Sequence, residues 1–142
     1  MRLSALLARW WYRVFPQKTL GRRGEEAAAR FLKRQGYKIL ARGRRLPPGE
    51  LDLVALDGRT IVIVEVKTRT TADVGHPAEA VDAIKQRKLT RLAVTFLKRH
   101  GLLEYPARFD VVAITWPDDG RRPVIEHFKN AFDAVGQGEL YS

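Results

Sequence analysis

The sequence contains no cysteine. Disulfide bonds and thiolate metal ligands are therefore excluded, and the composition suits a reducing compartment, so we expect a cytoplasmic protein. No apolar run approaches the roughly 20 residues that a helix needs to span a bilayer. A glycine-rich phosphate loop and a Ser/His/Asp catalytic set are also missing, and the histidines lack the spacing of metal ligands. The candidate chemistry must therefore depend on carboxylates and basic side chains.

Acidic residues are scarce at the beginning of the chain. Residues 1–45 hold 13 Lys and Arg but only 2 acidic residues, a formal charge of +11. Residues 46–142 hold 13 basic and 14 acidic residues, a formal charge of −1. A basic N-terminal part followed by a nearly neutral remainder predicts a polyanionic partner. DNA, ribosomal RNA and anionic lipid all satisfy that description.

The length of 142 residues, without internal repeats, predicts one domain with a real core. We place this domain at residues 21–135, after a basic amphipathic extension at 1–20 and before a tail at 136–142. Residues 1–15 alternate leucine, tryptophan and arginine as in an amphipathic helix. This segment is compatible with packing on its own domain, with contact to a partner protein, and with peripheral binding to a membrane.

The periodicity and the turn residues predict an α-β-β-β-α-β-β order of elements. The expected helices lie at 25–35, ending at Gly36, and at 78–100; the expected strands lie at 37–42, 50–56, 60–67, 108–114 and 123–128. Segments 21–24 and 43–49 are predicted as a basic turn and a basic loop, and a short helix is expected from residue 130. A strand, a long helix and a further strand imply a parallel crossover. The fold class is therefore α/β, a mixed central sheet covered by helices in three layers.

A hairpin is predicted where Asp57-Gly58 separates two apolar runs. With these two residues as the loop, Asp52 would pair with Ile63, and Glu50 with Glu65. Because side chains alternate across a strand, one face of the hairpin then carries several polar groups. That face holds Glu50, Asp52, Ile61, Ile63, Glu65 and Lys67.

Asp52 and Glu65 are diagonal neighbours in this register, with backbones about 7–8 Å apart. Like charges so close repel, but two carboxylates can share a divalent ion, and Lys67 points to the same side. This combination suits the cleavage of phosphodiesters. The alternative is a solvated face of a half-exposed sheet, but the second run is apolar on both faces, as in a buried strand. Ionised groups at the end of such a strand are costly unless paired or metal-bound.

An aspartate followed by Glu-x-Lys on the next strand matches the nuclease pattern PD-(D/E)-x-K, although no proline directly precedes Asp52. The order of elements resembles the restriction-endonuclease-like fold. Residues 21–132 are more closely similar to the YraN-like family of predicted endonucleases, which is remotely similar to archaeal Holliday-junction resolvases. The motifs that carry this resemblance are Gly24-Glu25, Gly36-Tyr37, Gly49-Glu50-Leu51-Asp52-Leu53, Val64-Glu65-Val66-Lys67-Thr68-Arg69, Gly75-His76-Pro77, Glu79-Ala80-Val81-Asp82, Lys85 and Arg108-Phe109-Asp110-Val111-Val112.

The resemblance implies that Asp52 and Glu65 are metal ligands, with the Val66 carbonyl and Glu25 as further ligands. Lys67 would orient or activate the attacking water and stabilise the charge on the phosphorane. Glu50 is either a direct ligand or a neighbour that supports the ligands. Oxygen ligands suit Mg²⁺ or Mn²⁺, which would polarise the phosphoryl oxygen and lower the pKa of the attacking water.

We therefore expect a metal-dependent nuclease that hydrolyses DNA in repair or recombination, with branched or flapped DNA as candidate substrates. A homodimer is compatible with the resemblance. The alternatives are a non-catalytic nucleic-acid-binding protein on a nuclease fold, and a membrane-surface or scaffold protein that works through residues 1–15. The side chains expected to contact phosphate are Arg22, Arg23, Arg44, Arg45, Arg69 and Lys85, although Lys85 is equally compatible with a solvated helix face.

Overall fold

The computed structural model describes residues 20–47, 49–70 and 81–135. Residues 1–19 of the predicted extension and the tail from residue 136 lie outside this range. The elements are α1 (Leu20–Arg34), β1 (Lys38–Leu46), β2 (Gly49–Asp57), β3 (Thr60–Thr70), α2 (Ala83–Arg99), β4 (Ala107–Trp116) and β5 (Val124–Phe132). Their order confirms the predicted α-β-β-β-α-β-β sequence.

The five strands form one mixed sheet in the order β1-β2-β3-β4-β5. β3 and β4 are parallel, as the crossover predicted, and the other neighbours are antiparallel. Alternate residues of β3 enter two separate cores. Ile61 and Ile63 pack with α2, whereas Val62 and Val64 pack with α1. The helices therefore cover opposite faces of the sheet, which confirms the three-layer α/β/α class.

α1 begins five residues earlier than predicted, so the expected basic turn at 21–24 is wrong. Gly24 lies inside the helix rather than before it. A Cβ atom at Gly24 would collide with Oγ1 of Thr68, so this glycine allows α1 to approach β3 closely. Gly36 ends the helix as predicted, with a φ of +92°.

The hairpin register differs from the prediction by two residues. Asp57 pairs with Thr60, and Leu56 with Ile61, so the loop is Gly58 and Arg59. The predicted pairs of Asp52 with Ile63 and of Glu50 with Glu65 are therefore wrong. Asp57 belongs to the strand because the Arg108 guanidinium on β4 holds its carboxylate at 2.9 Å.

Three predicted boundaries also change. β1 continues to Leu46, so most of the loop expected at 43–49 is a strand. α2 begins at Ala83, where the Asp82 side chain caps it, and not at residue 78. β5 continues to Phe132, so the helix expected from Asn130 is wrong.

A buried carboxylate explains why β5 continues through Asn130. Asp110 on β4 is fully buried and accepts the Asn130 N–H at 2.9 Å. His127 and Arg108 also bond Asp110, at 2.7 Å and 3.0 Å. Burial raises the pKa of Asp110, but the bonds from His127, Arg108 and the Asn130 N–H outweigh it and hold that pKa below its usual range. This network fixes β5 on β4.

Candidate metal centre

Strands β2 and β3 separate at the end of their pairing, and Asp52 lies at this point. The paired residues run from Asp57 and Thr60 to Leu53 and Val64. Immediately beyond them, Asp52 Oδ2 accepts the Val66 N–H at 2.9 Å. A side chain thus joins the two strands where the backbone ladder ends, and the Asp52 carboxylate is fixed between them.

Glu65 lies next to this junction and is 7% exposed. Its Oε1 atom contacts two ammonium groups, Lys85 Nζ at 2.6 Å and Lys67 Nζ at 3.6 Å. The Asp52 carboxyl group is near enough for the charge of Glu65 to raise its pKa, because Asp52 accepts the N–H of Val66, the residue after Glu65. The structure therefore brings together the predicted catalytic residues Asp52, Glu65 and Lys67, despite the error in register.

The contact between two carboxyl groups changes the titration of Asp52. Burial, the negative charge of Glu65 and the hydrogen bond with Glu65 raise the pKa of Asp52 to about 7, against the opposing effect of the Val66 N–H. Near neutral pH, two carboxylates in this position need either a shared proton or a shared cation.

Two further acids lie close to Asp52 and form a second group with it. Carboxylate oxygens of Glu25, Glu50 and Asp52 all lie within 4.8 Å of one another. Burial and the charge of Glu50 raise the pKa of Glu25. Asp52 therefore lies in one acidic cluster with Glu25, Glu50 and Glu65, because the charge of Glu65 also raises the pKa of Glu25.

Gly43 on β1 leaves space for this second group. Its φ is +52°, and a Cβ atom there would lie 3.4 Å from Glu50 Oε1 and 3.9 Å from Glu25 Oε2. A side chain at this position would be strained by the backbone, and its Cβ atom would lie in van der Waals contact with the two carboxylates. The glycine thus lines the acidic cluster on the β1 side.

The predicted ligands occupy suitable places for a hard cation. Glu25 and Glu50 share a group with Asp52, and the charge of Glu65 also acts on Asp52. Val66 donates its N–H to Asp52, while the role of its carbonyl as a ligand stays a prediction. Several carboxylate oxygens without any nitrogen or sulfur donor fit Mg²⁺ or Mn²⁺.

Two lysines balance the charge of Glu65. Burial and the neighbouring Lys85 ammonium lower the pKa of Lys67, against the effect of Glu65. Burial also lowers the pKa of Lys85, but the hydrogen bond to Glu65 and the other nearby groups outweigh it, so that pKa is raised. The centre therefore contains both carboxylates and ammonium groups.

The contact between Lys85 and Glu65 is a feature that sequence reasoning missed. Lys85 is the third residue of α2, and Asp82 caps this end of the helix. A cation in the first turn opposes the helix dipole, so a lysine there needs a nearby carboxylate. The position of Lys85 in the first turn of α2 was the sequence feature that indicated an acidic partner. The identity of that partner, Glu65, depends on how α2 packs on the sheet.

The predicted phosphate-contacting arginines make different contacts in the structure. Arg23 lies over the Trp116 ring, 4.5 Å from its centroid, and Arg69 Nε is 3.4 Å from Thr115 Oγ1. Arg45 approaches Glu50 at 3.7 Å. Arg44 instead contacts His100 at the end of α2, at 3.3 Å, and Arg22 is exposed on α1. Their contact with nucleic acid stays a prediction.

The fold and the centre define an α/β protein with a carboxylate cluster suited to a metal ion. Within the described ranges, neither helix has the length and apolar character needed to cross a bilayer.

The sequence model of the uncharacterised protein family UPF0102 matches residues 24–114, which include every acid of the centre and both lysines. A UPF0102 protein of Rhodopirellula baltica is 50% identical over 125 residues, covering 86% of this chain and 75% of the relative. UPF0102 proteins of Geobacter metallireducens and Geobacter sulfurreducens are 49% and 51% identical, cover 82% of this chain, and are themselves covered over 93% and 90%. The chain belongs to UPF0102, which confirms the YraN-like family that the motifs indicated.

Proposed function

We propose that this protein is a metal-dependent nuclease that hydrolyses phosphodiester bonds in DNA. The observation that carries the proposal is the carboxylate group of Glu25, Glu50 and Asp52, whose oxygens lie within 4.8 Å of one another, next to Glu65, whose Oε1 contacts Lys67 at 3.6 Å. Acids placed this close favour a shared cation, and a neighbouring ammonium suits a reaction that increases negative charge on phosphate.

In this proposal Asp52 and Glu65 hold Mg²⁺ or Mn²⁺, and Glu25 and Glu50 complete or support the ligand set. The bound ion supplies Lewis-acid polarisation of the phosphate and acidifies the attacking water. Lys67 orients that water and stabilises the negative charge on the phosphorane. Its lowered pKa makes exchange of a proton with the water easier than for a fully solvated lysine.

The basic surface supports a nucleic-acid substrate. Arg22, Arg23 and Arg45 are exposed on the two elements that flank the acids, α1 and β1. We propose DNA as the substrate, branched or flapped, in repair or recombination in the cytoplasm. Two-strand cleavage of such a substrate requires two centres, for which a homodimer is the simplest arrangement. A role of residues 1–15 in membrane or protein contact is a separate proposal.

A binding protein without catalysis is the second candidate. The observation that favours it is the neutralisation of Glu65 by two lysines, because a centre so balanced is stable without a metal ion. A cleavage panel separates the two candidates. Linear, flapped and four-way DNA are incubated with Mg²⁺, Mn²⁺ or chelator. The nuclease gives cut products only with metal; binding to DNA without products under every condition supports the second candidate instead.

Lys67→Ala tests the proposed catalytic lysine. The variant should lose cleavage by at least about a hundredfold while it keeps DNA and Mn²⁺ binding, because it removes a contact that stabilises the transition state and leaves every proposed metal ligand in place. Single-turnover cleavage rates measure this. Lys129→Ala removes an exposed lysine from β5 and serves as the matched control. Cleavage by Lys67→Ala at the control rate would show that Lys67 carries only surface charge.

A further inference from the structure

Two ammonium groups lie beside the Glu65 carboxylate, although a carboxylate that binds a metal ion needs no further positive charge. Lys85 Nζ and Lys67 Nζ both approach Oε1, at 2.6 Å and 3.6 Å. Lys67 belongs to the same strand as Glu65, but Lys85 comes from α2, the helix of the crossover between β3 and β4. The shorter of the two contacts is therefore made by the lysine that α2 supplies.

Lys85 occupies an unfavourable position in its own helix. It lies in the first turn of α2, and that turn holds no acidic residue apart from the capping Asp82. Helix dipoles favour anions at this end and disfavour ammonium groups. The Asp82 side chain accepts the Lys85 N–H at 2.9 Å and thereby fixes the backbone from which the lysine extends. The ion pair with Glu65 compensates a cation that the helix itself disfavours.

Lys85 is also the more accessible of the two lysines. Its side chain is 37% exposed, against 22% for Lys67. An ammonium group on a flexible stem at the edge of a site can leave its partner without any movement of the backbone. Lys85 can therefore exchange Glu65 for solvent or for another anion, whereas Lys67 is held more deeply.

We propose that Lys85 is the internal counter-ion of the centre, which occupies Glu65 in the absence of a divalent ion and competes with that ion for the carboxylate. The proposal rests on the metal centre proposed above. In this role Lys85 is a positioning residue, because its positive charge offsets the repulsion between Asp52 and Glu65 until a metal ion binds. Once it is displaced from Glu65, the Lys85 ammonium lies beside the metal ligands, where it can form an ion pair with a substrate phosphate.

A Mn²⁺ titration followed by calorimetry, without DNA, tests the competition. Lys85→Met removes the charge but keeps much of the side-chain volume. Its affinity for Mn²⁺ should increase by at least about threefold, the scale of one partly exposed ion pair. Arg87→Met is the matched control, because Arg87 is exposed in the same turn of α2 and its replacement changes the net charge equally. The control should bind Mn²⁺ as the unmodified protein does.

Two further measurements separate competition from misfolding. Lys85→Arg retains the cation and should keep the affinity of the unmodified protein. Thermal unfolding in chelator should show a lower midpoint for Lys85→Met, with a larger increase on addition of Mn²⁺, because Asp52 and Glu65 then lack their counter-ion.

Unchanged or weaker Mn²⁺ binding by Lys85→Met would overturn the proposal that Lys85 competes with the ion for Glu65, but it would not contradict the proposed metal centre. Equal tightening by Arg87→Met would also overturn it, because net charge alone would then explain the effect. Absence of Mn²⁺ binding in the unmodified protein, Lys85→Met and Lys85→Arg alike would contradict the proposed function together with this inference.

Discussion

Asp52 is the residue on which the two carboxylate groups of the centre converge. Its carboxylate lies within 4.8 Å of those of Glu25 and Glu50, and the negative charge of Glu65 raises its pKa. The Val66 N–H holds it at the point where β2 and β3 separate. Asp52 is therefore held in a fixed position close to other negative charges. Such an arrangement lowers the stability of the folded protein but favours the binding of a cation.

Asp52→Asn should stabilise the metal-free protein at alkaline pH. The folded-state pKa of about 7 lies above the ordinary aspartate value of 3.8, so the carboxyl group favours folding most below about pH 4. The free energy of unfolding should fall as pH rises from about 4 to about 7. Each unit of the shift corresponds to about 1.4 kcal/mol. Urea unfolding in chelator should therefore show a larger gain for Asp52→Asn at pH 8 than at pH 5.

Asp133→Asn is the control for this comparison, because Asp133 is exposed beyond β5. It should follow the pH dependence of the unmodified protein. A gain from Asp52→Asn that does not change between pH 5 and pH 8 would show that the carboxyl group carries no raised pKa.

At the scale of elements, the hairpin shows how much the sequence could predict. The Asp57-Gly58 pair located the turn, but the observed loop is Gly58 and Arg59. A shift of two residues leaves every side chain on its predicted face, because faces alternate with a period of two. Asp52, Glu65 and Lys67 were thus placed together although their pairing was wrong. The register depends on the contact of Arg108 with Asp57, which joins residues 51 positions apart and lies outside any local pattern.

Helix boundaries were harder to predict for a similar reason. Gly24 indicated a turn by its local preference, but it lies in α1 and permits close contact with Thr68 on β3. Asn130 suggested a helix start, but its N–H is bonded to the buried Asp110. In both cases a contact distant in sequence outweighs the local preference of the residue.

Gly24→Ala tests the contact between α1 and β3. In an open helix this change would stabilise by about 0.5–1 kcal/mol. Here the added methyl group meets Thr68, so we expect destabilisation of about 1–3 kcal/mol, the cost of overpacking. Urea unfolding measures the difference. The double variant Gly24→Ala/Thr68→Ala removes the obstructing Oγ1 and should recover much of the stability, whereas a stabilised single variant would contradict the close contact.

At the scale of the whole molecule, the excess of basic residues lies in the elements that border the acidic cluster. Residues 20–45, which include α1 and most of β1, hold nine Lys and Arg and two acidic residues. One of those acids, Glu25, belongs to the acidic cluster, and Gly43 of β1 borders it. The elements that supply the positive charge are therefore the elements that flank the carboxylates, an arrangement suited to a polyanion that crosses the centre.

The Arg44→Ala/Arg45→Ala double variant tests whether DNA passes along β1. Removal of one phosphate-binding cation should reduce the slope of log affinity against log salt by about 0.9 on duplex DNA. We expect weaker binding and a smaller slope for the double variant, with Mn²⁺ binding retained. Lys98→Ala/Arg99→Ala removes the same charge from the last turn of α2 and is the control. Slopes that match in all three proteins would place the DNA elsewhere.

The central claim is that Asp52 and Glu65 jointly hold a divalent ion. Calorimetric titration with Mn²⁺ tests it most directly, on the unmodified protein, Asp52→Asn and Glu65→Gln. Glu126→Gln, which changes an exposed acid on β5, is the control. Each change in the centre removes one anionic ligand and should abolish the binding that the control retains. Mn²⁺ binding of unchanged affinity in both Asp52→Asn and Glu65→Gln would contradict the account.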